Sequence, residues 1–428
     1  MDEPLRDVEG EETISRRTLL SGAAGALGVA VAAGIPLLAG GQGTQKAASA
    51  VPAAPVVPND ATKLPGAPTS AVGSRSPFVK PSRTPVGETT GNSLTPLQDL
   101  TGTITPADLH FERHHAGIPA IDPSRHTLLI HGLVTTPLML TVDEIRRFPQ
   151  VTRTHFIECS GNGRAAYREP NPDMTPQKVA GLVSNTEWTG VPLKVLFEEA
   201  GAKPAAQWFL AEGGDACLMA RSIPMAKALD DALVVWAQNG EPIRPEQGFP
   251  LRLLLPGWEG NTSVKWLRRL ELGTRPWMTR WETSKYTDPL PDGTARQFSF
   301  DMDAKSVITS PAAPQSITRG WWPISGLAWT GRGRITRVEV SSDNGKSWAD
   351  AIIHEPNLAK APVRFTHMWQ WDGRESVLLS RATDESGYVQ PTLAEFVKVR
   401  GIGTDFHFNP IVGWKVQLGG RLAFHGET

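Results

Sequence analysis

The chain has 428 residues, and its 43 Lys and Arg against 44 Asp and Glu leave a formal net charge of −1, which excludes the basic footprint of a nucleic-acid-binding protein. That length exceeds one typical domain and points to two or three, and a hydrophobic share of 40% is enough to bury a sizeable core. Two cysteines exclude a disulfide framework.

At the N-terminus, Ser15-Arg16-Arg17-Thr18-Leu19-Leu20 precedes an uncharged Ala/Gly-rich stretch running to Gly41. An arginine pair before a mildly apolar segment has the form of a twin-arginine export signal. The other reading is a membrane anchor, since the length could span a bilayer. The many glycines and alanines leave the segment only weakly hydrophobic and favour a signal, so residues 1–41 are expected to direct the protein to the periplasm with no stable membrane anchor. Such signals export folded proteins, commonly ones already loaded with a cofactor. Residues 42–94 are rich in Pro, Ala, Ser, Thr and Gly and bury too little apolar area to offset the entropy of ordering; a linker or extended arm is expected.

Periodic structure is expected from about Leu109. Thr127 to Ile130 reads as a strand, and Thr141-Val142-Asp143-Glu144 as a capping box opening a short helix that ends by Pro149. Val151 to Glu158 is β-patterned and leads into Cys159-Ser160-Gly161-Asn162-Gly163-Arg164. Another helix is expected after Trp188 to Leu193, with Pro192 in its first turn and Gly201 beyond its end. Pro250 to Leu255 is a continuous apolar run broken by Arg252; a charge inside a buried strand is costly unless paired, so Arg252 is expected to have a partner. Beyond Trp281 the texture becomes all-β. Arg334 to Val340 alternates, Asn344-Gly345 supplies a hairpin turn before Trp348, and Val363 to Trp371 and Ser376 to Arg381 continue the strands. No helix stands out there, and a seven-strand-like sandwich is expected.

Cys159 is either a buried space-filler or a reactive or metal-bound thiol. Its setting favours the second: glycines allow close approach of a ligand, and Arg164 favours thiolate over thiol. His110-Phe111-Glu112-Arg113-His114-His115 is dense in imidazoles, but adjacent histidines rarely face one metal and no Cys-x-x-Cys or His-Glu-x-x-His accompanies them, which weighs against zinc. Arg252, the turn Pro256-Gly257-Trp258-Glu259-Gly260 and Lys265 lie within fourteen positions. Such a set either holds a phosphate or is a loop with solvated charges.

Together these residues resemble the sulfite oxidase family of molybdopterin enzymes. The resemblance rests on Phe-x-Arg-x-His at 111–115, the Cys159 to Arg164 run, Gly248-Phe249-Pro250-Leu251-Arg252, and Val264-Lys265-Trp266-Leu267. It implies an α+β fold: a mixed α/β molybdopterin domain over 95–280, then an immunoglobulin-like β-sandwich dimerisation domain over 281–428, making a homodimer. It implies Cys159 as the molybdenum ligand, a soft thiolate beside the pterin's own sulfurs. Arg113 and Arg164 are implied to line an oxyanion pocket, where their planar forks suit a sulfur oxyanion. Tyr286 is implied near the metal-bound oxygen. Phe111, His115, Asp215, Arg252, Ser263 and Lys265 are implied to contact the pterin or its phosphate. Gln247 stands where many members carry a histidine, Lys285 where the animal enzymes have an acid, and His407 where a further pocket arginine is expected. No Cys-x-x-Cys-His is present, so no haem is expected in this chain and electrons would leave to another protein.

These departures, with the 256–262 run, are most similar to the molybdenum subunits of sulfane dehydrogenases of bacterial sulfur-oxidising systems. That implies a c-type cytochrome subunit as partner and, as substrate, sulfane sulfur on a cysteine of a carrier protein. A periplasmic sulfite dehydrogenase acting on free sulfite is the alternative within the class. A non-catalytic exported binding protein, with no cofactor, is the alternative outside it.

Overall fold

The computed structural model describes residues 65–290, 292–401 and 404–426. The arginine pair, the stretch to Gly41 and the first part of the expected linker lie outside the described residues. From Ser74 on, the chain packs as one compact unit. Among the described residues no helix is long and apolar enough to cross a membrane.

The first strands fall inside the stretch expected as linker or arm. β1 (Thr84–Gly87) and β2 (Gly91–Leu94) form a hairpin, and β2 pairs with β3 (Glu112–His114), placing Asn92 opposite Arg113. β1 is mostly exposed. Ladder hydrogen bonds, not apolar burial, order it, which is why composition alone misses it.

Next come β4 (Thr127–Gly132) and β5 (Leu138–Thr141), an antiparallel pair that runs into α1 (Val142–Ile145). The Thr141 hydroxyl accepts from the Glu144 N–H, and the Glu144 side chain accepts from the Thr141 N–H, satisfying two helix-end donors at once. β6 (Val151–Glu158) leads to the Cys159 loop and is followed by α2 (Arg164–Arg168), α3 (Pro176–Ala180), β7 (Val183–Pro192) and α4 (Leu193–Glu199). Pro192 is the N-cap of α4, one position before the expected first turn, and Gly201 follows its end at a φ of 65°. The half is completed by β8 (Trp208–Gly213), β9 (Ala220–Pro224), α5 (Met225–Asp230), β10 (Leu233–Gln238), β11 (Glu241–Pro242), β12 (Arg252–Leu254), β13 (Leu267–Gly273) and α6 (Arg280–Thr283).

Two sheets make this half: β11-β10-β7-β6 with β12 on β10, and β5-β4-β13-β8-β9. The β4–β13 pair is parallel and the others antiparallel. Both sheets and α4 feed one apolar cluster, in which Ile130, Phe197, Phe209, Val234, Leu253 and Leu270 are fully buried.

The remainder is the expected sandwich. β14 (Asp288–Pro289) and β15 (Ala295–Arg296) pair first. β16 (Lys305–Ser310), β17 (Gly320–Trp329), β18 (Ile335–Ser341), β19 (Ala349–Asp350), β20 (Ile352–Ile353), β21 (Val363–Trp371), β22 (Ser376–Asp384), β23 (Gly413–Val416) and β24 (Leu422–His425) form two sheets, β16-β17-β21-β20 and β19-β18-β22-β23-β24. Asn344 and Gly345 take φ of 61° and 79°, the two left-handed positions of a tight hairpin turn, and β18 pairs back onto β19. One expectation fails here: α7 (Leu393–Arg400) is a helix, opened by a capping box of Thr392 and Glu395. Its periodicity is faint because only Phe396 and Arg400 are buried.

A buried ion pair ties the two halves together. Glu158, at the end of β6, has no exposed surface. It accepts from Lys305 Nζ at 2.6 Å, Trp329 Nε1 at 2.7 Å and Asn162 Nδ2 at 2.9 Å. Removing one partner of such a pair strands the other charge, at a cost of about 3–5 kcal/mol. Lys305→Met should therefore lower unfolding stability by that amount in urea at pH 7. Adding Glu158→Gln to it should recover much of the loss, because no buried charge then remains unpaired.

Candidate cofactor and active site

β6 delivers Cys159 into a loop with little freedom. The Cys159 N–H donates to Leu182 O at 2.9 Å, and the Asn162 N–H returns to Cys159 O at 2.9 Å. The Asn162 side chain braces the turn, its Nδ2 on Glu158 and its Oδ1 accepting from the Leu182 N–H at 3.0 Å. Gly163 has a φ of 90°, and a Cβ there would lie 2.5 Å from the Phe408 ring, so only glycine fits.

The electrostatics at the thiol correct the sequence reading. Burial pushes the Cys159 thiol up, and of the two arginines opposing it Arg113 acts more strongly than Arg164. Burial wins, so Arg164 alone does not make a thiolate; a soft metal would deprotonate the thiol on binding.

Cys159 lines a cavity that is partly open to solvent. Phe111, Arg113, His115, Asp215, Gln247, Arg252, Ser263, Lys265 and Tyr286 line the same cavity. Arg164 does not: its side chain is exposed at the start of α2. His114, Met219, Asn261 and Trp266 also line it and were not singled out from sequence.

The floor is cationic. Arg252 donates from Nη1 to Gln247 O and to Gln247 Oε1, each at 3.1 Å, and lies over the Trp188 ring at 5.5 Å. Its Nε is buried without a hydrogen-bond partner, and burial pushes its pKa down to about 9. The expected partner is thus an amide and an aromatic face rather than an acid, because the residue facing the guanidinium is Gln247. Lys265 Nζ donates to Glu246 O at 3.0 Å, Arg113 O at 3.1 Å and His114 Nδ1 at 2.9 Å. Burial first, then the Arg252 charge, lower its pKa well below the ordinary value. Between the two cations sits Gly248 at a φ of 114°, where a Cβ would come to 3.0 Å from the Lys265 Cβ and 3.3 Å from the Arg252 Cβ. Asp215 is the one carboxylate among the described lining residues. Its Oδ1 accepts from the Met219 N–H at 3.0 Å and its Oδ2 from Cys217 Sγ at 2.9 Å.

Tyr286 closes another wall at a φ of 48°. Its hydroxyl lies 2.7 Å from His115 Nε2, and the Arg221 guanidinium lies 5.5 Å from its ring centroid. Arg221 is fully buried against Glu259 at 3.0 Å and Glu282 at 3.5 Å. His407, where a further arginine is expected, is buried and is not among the lining residues. Its N–H donates to Ser160 O at 2.7 Å, and its Nε2 lies 3.6 Å from Glu259 Oε2. It backs the Cys159 loop.

The histidine-rich stretch does not converge. His114 Nε2 meets Glu112 at 2.8 Å, His115 meets Tyr286, and His110 is buried against Phe111 O at 3.0 Å. Among the described residues no three His, Cys, Asp or Glu side chains gather as a metal site. Arg83, from the expected arm, pairs with Glu112 and so ties the arm to this wall.

Two family models match the chain: an oxidoreductase molybdopterin binding domain over residues 115–281 and a Mo-co oxidoreductase dimerisation domain over 296–413. Sulfite oxidase of Gallus gallus is 30% identical over 327 residues, covering 70% of this chain and 71% of that protein. The mitochondrial sulfite oxidase of Mus musculus is 29% identical, covering 73% of this chain and 62% of its own length. An NADH nitrate reductase of Ulva prolifera is 31% identical, covering 77% of this chain and 43% of its own length. The chain thus spans about half of the nitrate reductase and under two thirds of the mouse enzyme. Among solved structures, a chain of the sulfane dehydrogenase SoxCD of Paracoccus pantotrophus superposes with a TM-score of 0.82 at 43% identity, over 86% of this chain and 97% of that one. The chain belongs to the sulfite oxidase family of molybdopterin oxidoreductases.

The residues present suit that family's cofactor. Cys159 offers the soft ligand molybdenum favours. Arg252 and Lys265 are buried cations with no carboxylate hydrogen-bonded to either, and Arg252 Nε has no hydrogen-bond partner, while Gly248 lets the backbone pass close to both residues. Cys159→Ser should abolish bound molybdenum or its turnover, and Arg252→Ala should lower pterin content several-fold in a fold of near-normal stability; metal analysis and pterin fluorescence of purified protein check both.

His110 yields a pH prediction. Its pKa is pushed from 6.5 down to about 3, by burial first and then by the charge of Arg252. The unfolded chain therefore binds a proton that the folded chain refuses. Stability from this group is complete above pH 6.5 and is lost as the pH falls toward 3, by up to about 1.4 kcal/mol per pH unit. His110→Gln should flatten the fall in unfolding free energy between pH 6.5 and 5, above the range where ordinary carboxylates titrate.

Proposed function

We propose that this chain is the molybdenum subunit of a periplasmic dehydrogenase that oxidises sulfane sulfur carried on a cysteine of a partner protein, in thiosulfate and sulfur oxidation. In this reading the twin-arginine motif at 15–20 exports the loaded protein, the C-terminal sandwich joins two copies, and electrons pass to a c-type cytochrome subunit. The observation that carries it is the donor set of the cavity, a single thiol sharing the walls with two buried cations that lack acid partners. The 43% identity with the SoxCD chain over nearly its whole length supports the choice of substrate class.

The molybdenum-pterin group, when bound, supplies oxygen-atom transfer and two-electron chemistry. The protein's part is placement and charge. Cys159 would ligate the metal, while Phe111, Asp215, Gln247, Ser263, Arg252 and Lys265 would hold the pterin and its phosphate. Arg113, inside the cavity, would offset anionic charge on a bound sulfur group, and Arg164, outside the cavity lining, would add only to the field at Cys159. Tyr286 would offer its hydroxyl as a hydrogen-bond donor inside the cavity.

Free sulfite is the second reading, favoured by the likeness to the Gallus gallus sulfite oxidase. The two differ in how much charge the pocket must supply. A free dianion relies on charge-assisted pairs of about 1.5–3 kcal/mol each, and His407 stands where one such arginine is expected. A tethered substrate gains binding from protein contacts and from effective concentration. With cytochrome as acceptor, kcat/KM for persulfidated carrier should exceed that for free sulfite by at least about tenfold, a difference of about 1.4 kcal/mol. Equal or better turnover of free sulfite, unaffected by carrier, would establish the second reading.

A further inference from the structure

His115 was expected to contact the cofactor, yet both of its ring nitrogens already face protein groups. Nδ1 lies 3.4 Å from Arg113 Nη2 and Nε2 lies 2.7 Å from the Tyr286 hydroxyl. A guanidinium can only donate, so Nδ1 must be the acceptor, and in a neutral imidazole the single proton is then on Nε2. That N–H donates to the Tyr286 oxygen. The hydroxyl proton is left to point away from His115, and Tyr286 lines the cavity beside Cys159.

We propose that His115 is a positioning residue for Tyr286: Arg113 fixes its tautomer, and its Nε2–H turns the phenolic O–H into the cavity as a donor. The neutral state this requires is the one the surroundings favour. Burial first and then Arg113 hold the imidazole pKa down at about 4, and burial with the nearby Cys159 keeps the phenol protonated by pushing its pKa up. The rings are clamped as well. His115 packs on Trp281 with centroids 4.8 Å apart, and Tyr286 packs on Phe406 at 5.3 Å with Arg221 over its face. The polarity of the chain stands on geometry alone; its effect on turnover rests on the proposed molybdenum chemistry.

The chain has ten histidines, so selective ¹⁵N-histidine labelling of the full protein, with His115→Phe to assign the signal, reads the tautomer directly. The expected result is protonated Nε2 with unprotonated Nδ1 at pH 7; the opposite tautomer, or an imidazolium, overturns the proposal. This measurement needs no metal and decides the question even if the protein takes up no molybdenum, an outcome that would count against the proposed function alone. In molybdenum-loaded enzyme, His115→Phe should lower kcat roughly tenfold, the scale of one transition-state hydrogen bond, with molybdenum per chain and KM little changed. His115→Gln keeps a donor for Tyr286 and an acceptor for Arg113 and should recover most of that loss. In a Tyr286→Phe background, His115→Phe should cost little more. Loss of molybdenum in parallel with activity, with turnover per molybdenum unchanged, would make His115 a cofactor holder only and sink the proposal.

Discussion

A carboxylate taken wholly out of water is tolerated only when its lone pairs are met by well-placed donors, and Glu158 meets that condition with three donors from two parts of the chain. Lys305 and Trp329 come from the C-terminal sandwich, and Asn162 from the turn that follows Cys159. The cysteine next to Glu158 is therefore anchored to the sandwich, not only to its own sheet. A second buried glutamate, Glu259, meets Glu158 along the backbone in a parallel bridge. Each has its own cation, Lys305 for Glu158 and Arg221 for Glu259. The loop carrying Cys159 and the turn carrying Asn261 thus meet along a seam of matched charges.

That seam shows what the cavity floor lacks. Elsewhere the buried arginines find acids: Arg221 has Glu259 and Glu282, and Arg400 has Asp288 and Asp303. Arg252 and Lys265 have carbonyls, an amide oxygen, an imidazole and indole faces. These groups ease the burial without cancelling the charge, and an uncompensated buried ion still costs several kcal/mol. The fold accepts that cost at a place where an anion would remove it, so the same geometry would select the ligand.

Much of this is legible in the sequence, and the reasons for the gaps are physical. Local signals survive because they depend on neighbours: the Thr141–Glu144 box, the Asn344-Gly345 turn and the strand into Cys159 all stand where their residues indicate. The box at Thr392 and Glu395 is equally local, but the helix it opens buries only Phe396 and Arg400 and carries only a faint apolar stripe. β1 and β2 leave no mark in composition, since their order comes from pairing with β3. Arg164 carries the family position but not the placement, because α2 turns its side chain out to solvent. Glu158, Arg221 and Glu259 were out of reach, because each matters through a partner dozens of positions away or more, and no spacing rule encodes such a pairing.

Backbone conformation carries the same lesson into the site. Trp266, Tyr286 and His407 have φ of 53°, 48° and 56°, a region that costs a non-glycine residue about 1–3 kcal/mol and persists only when its surroundings insist. The surroundings here can be named. The Trp266 indole N–H donates to Pro245 O at 2.9 Å and its ring lies 4.4 Å from Lys265 Nζ. Tyr286 is held by His115 and Arg221, and His407 by Ser160 and Glu259. In each case the restraint is a polar group that also belongs to the cavity or to the Cys159 loop. Loosening any one would release backbone strain and move a site residue at once, so the walls are set before a ligand arrives and need little reorganisation to receive it.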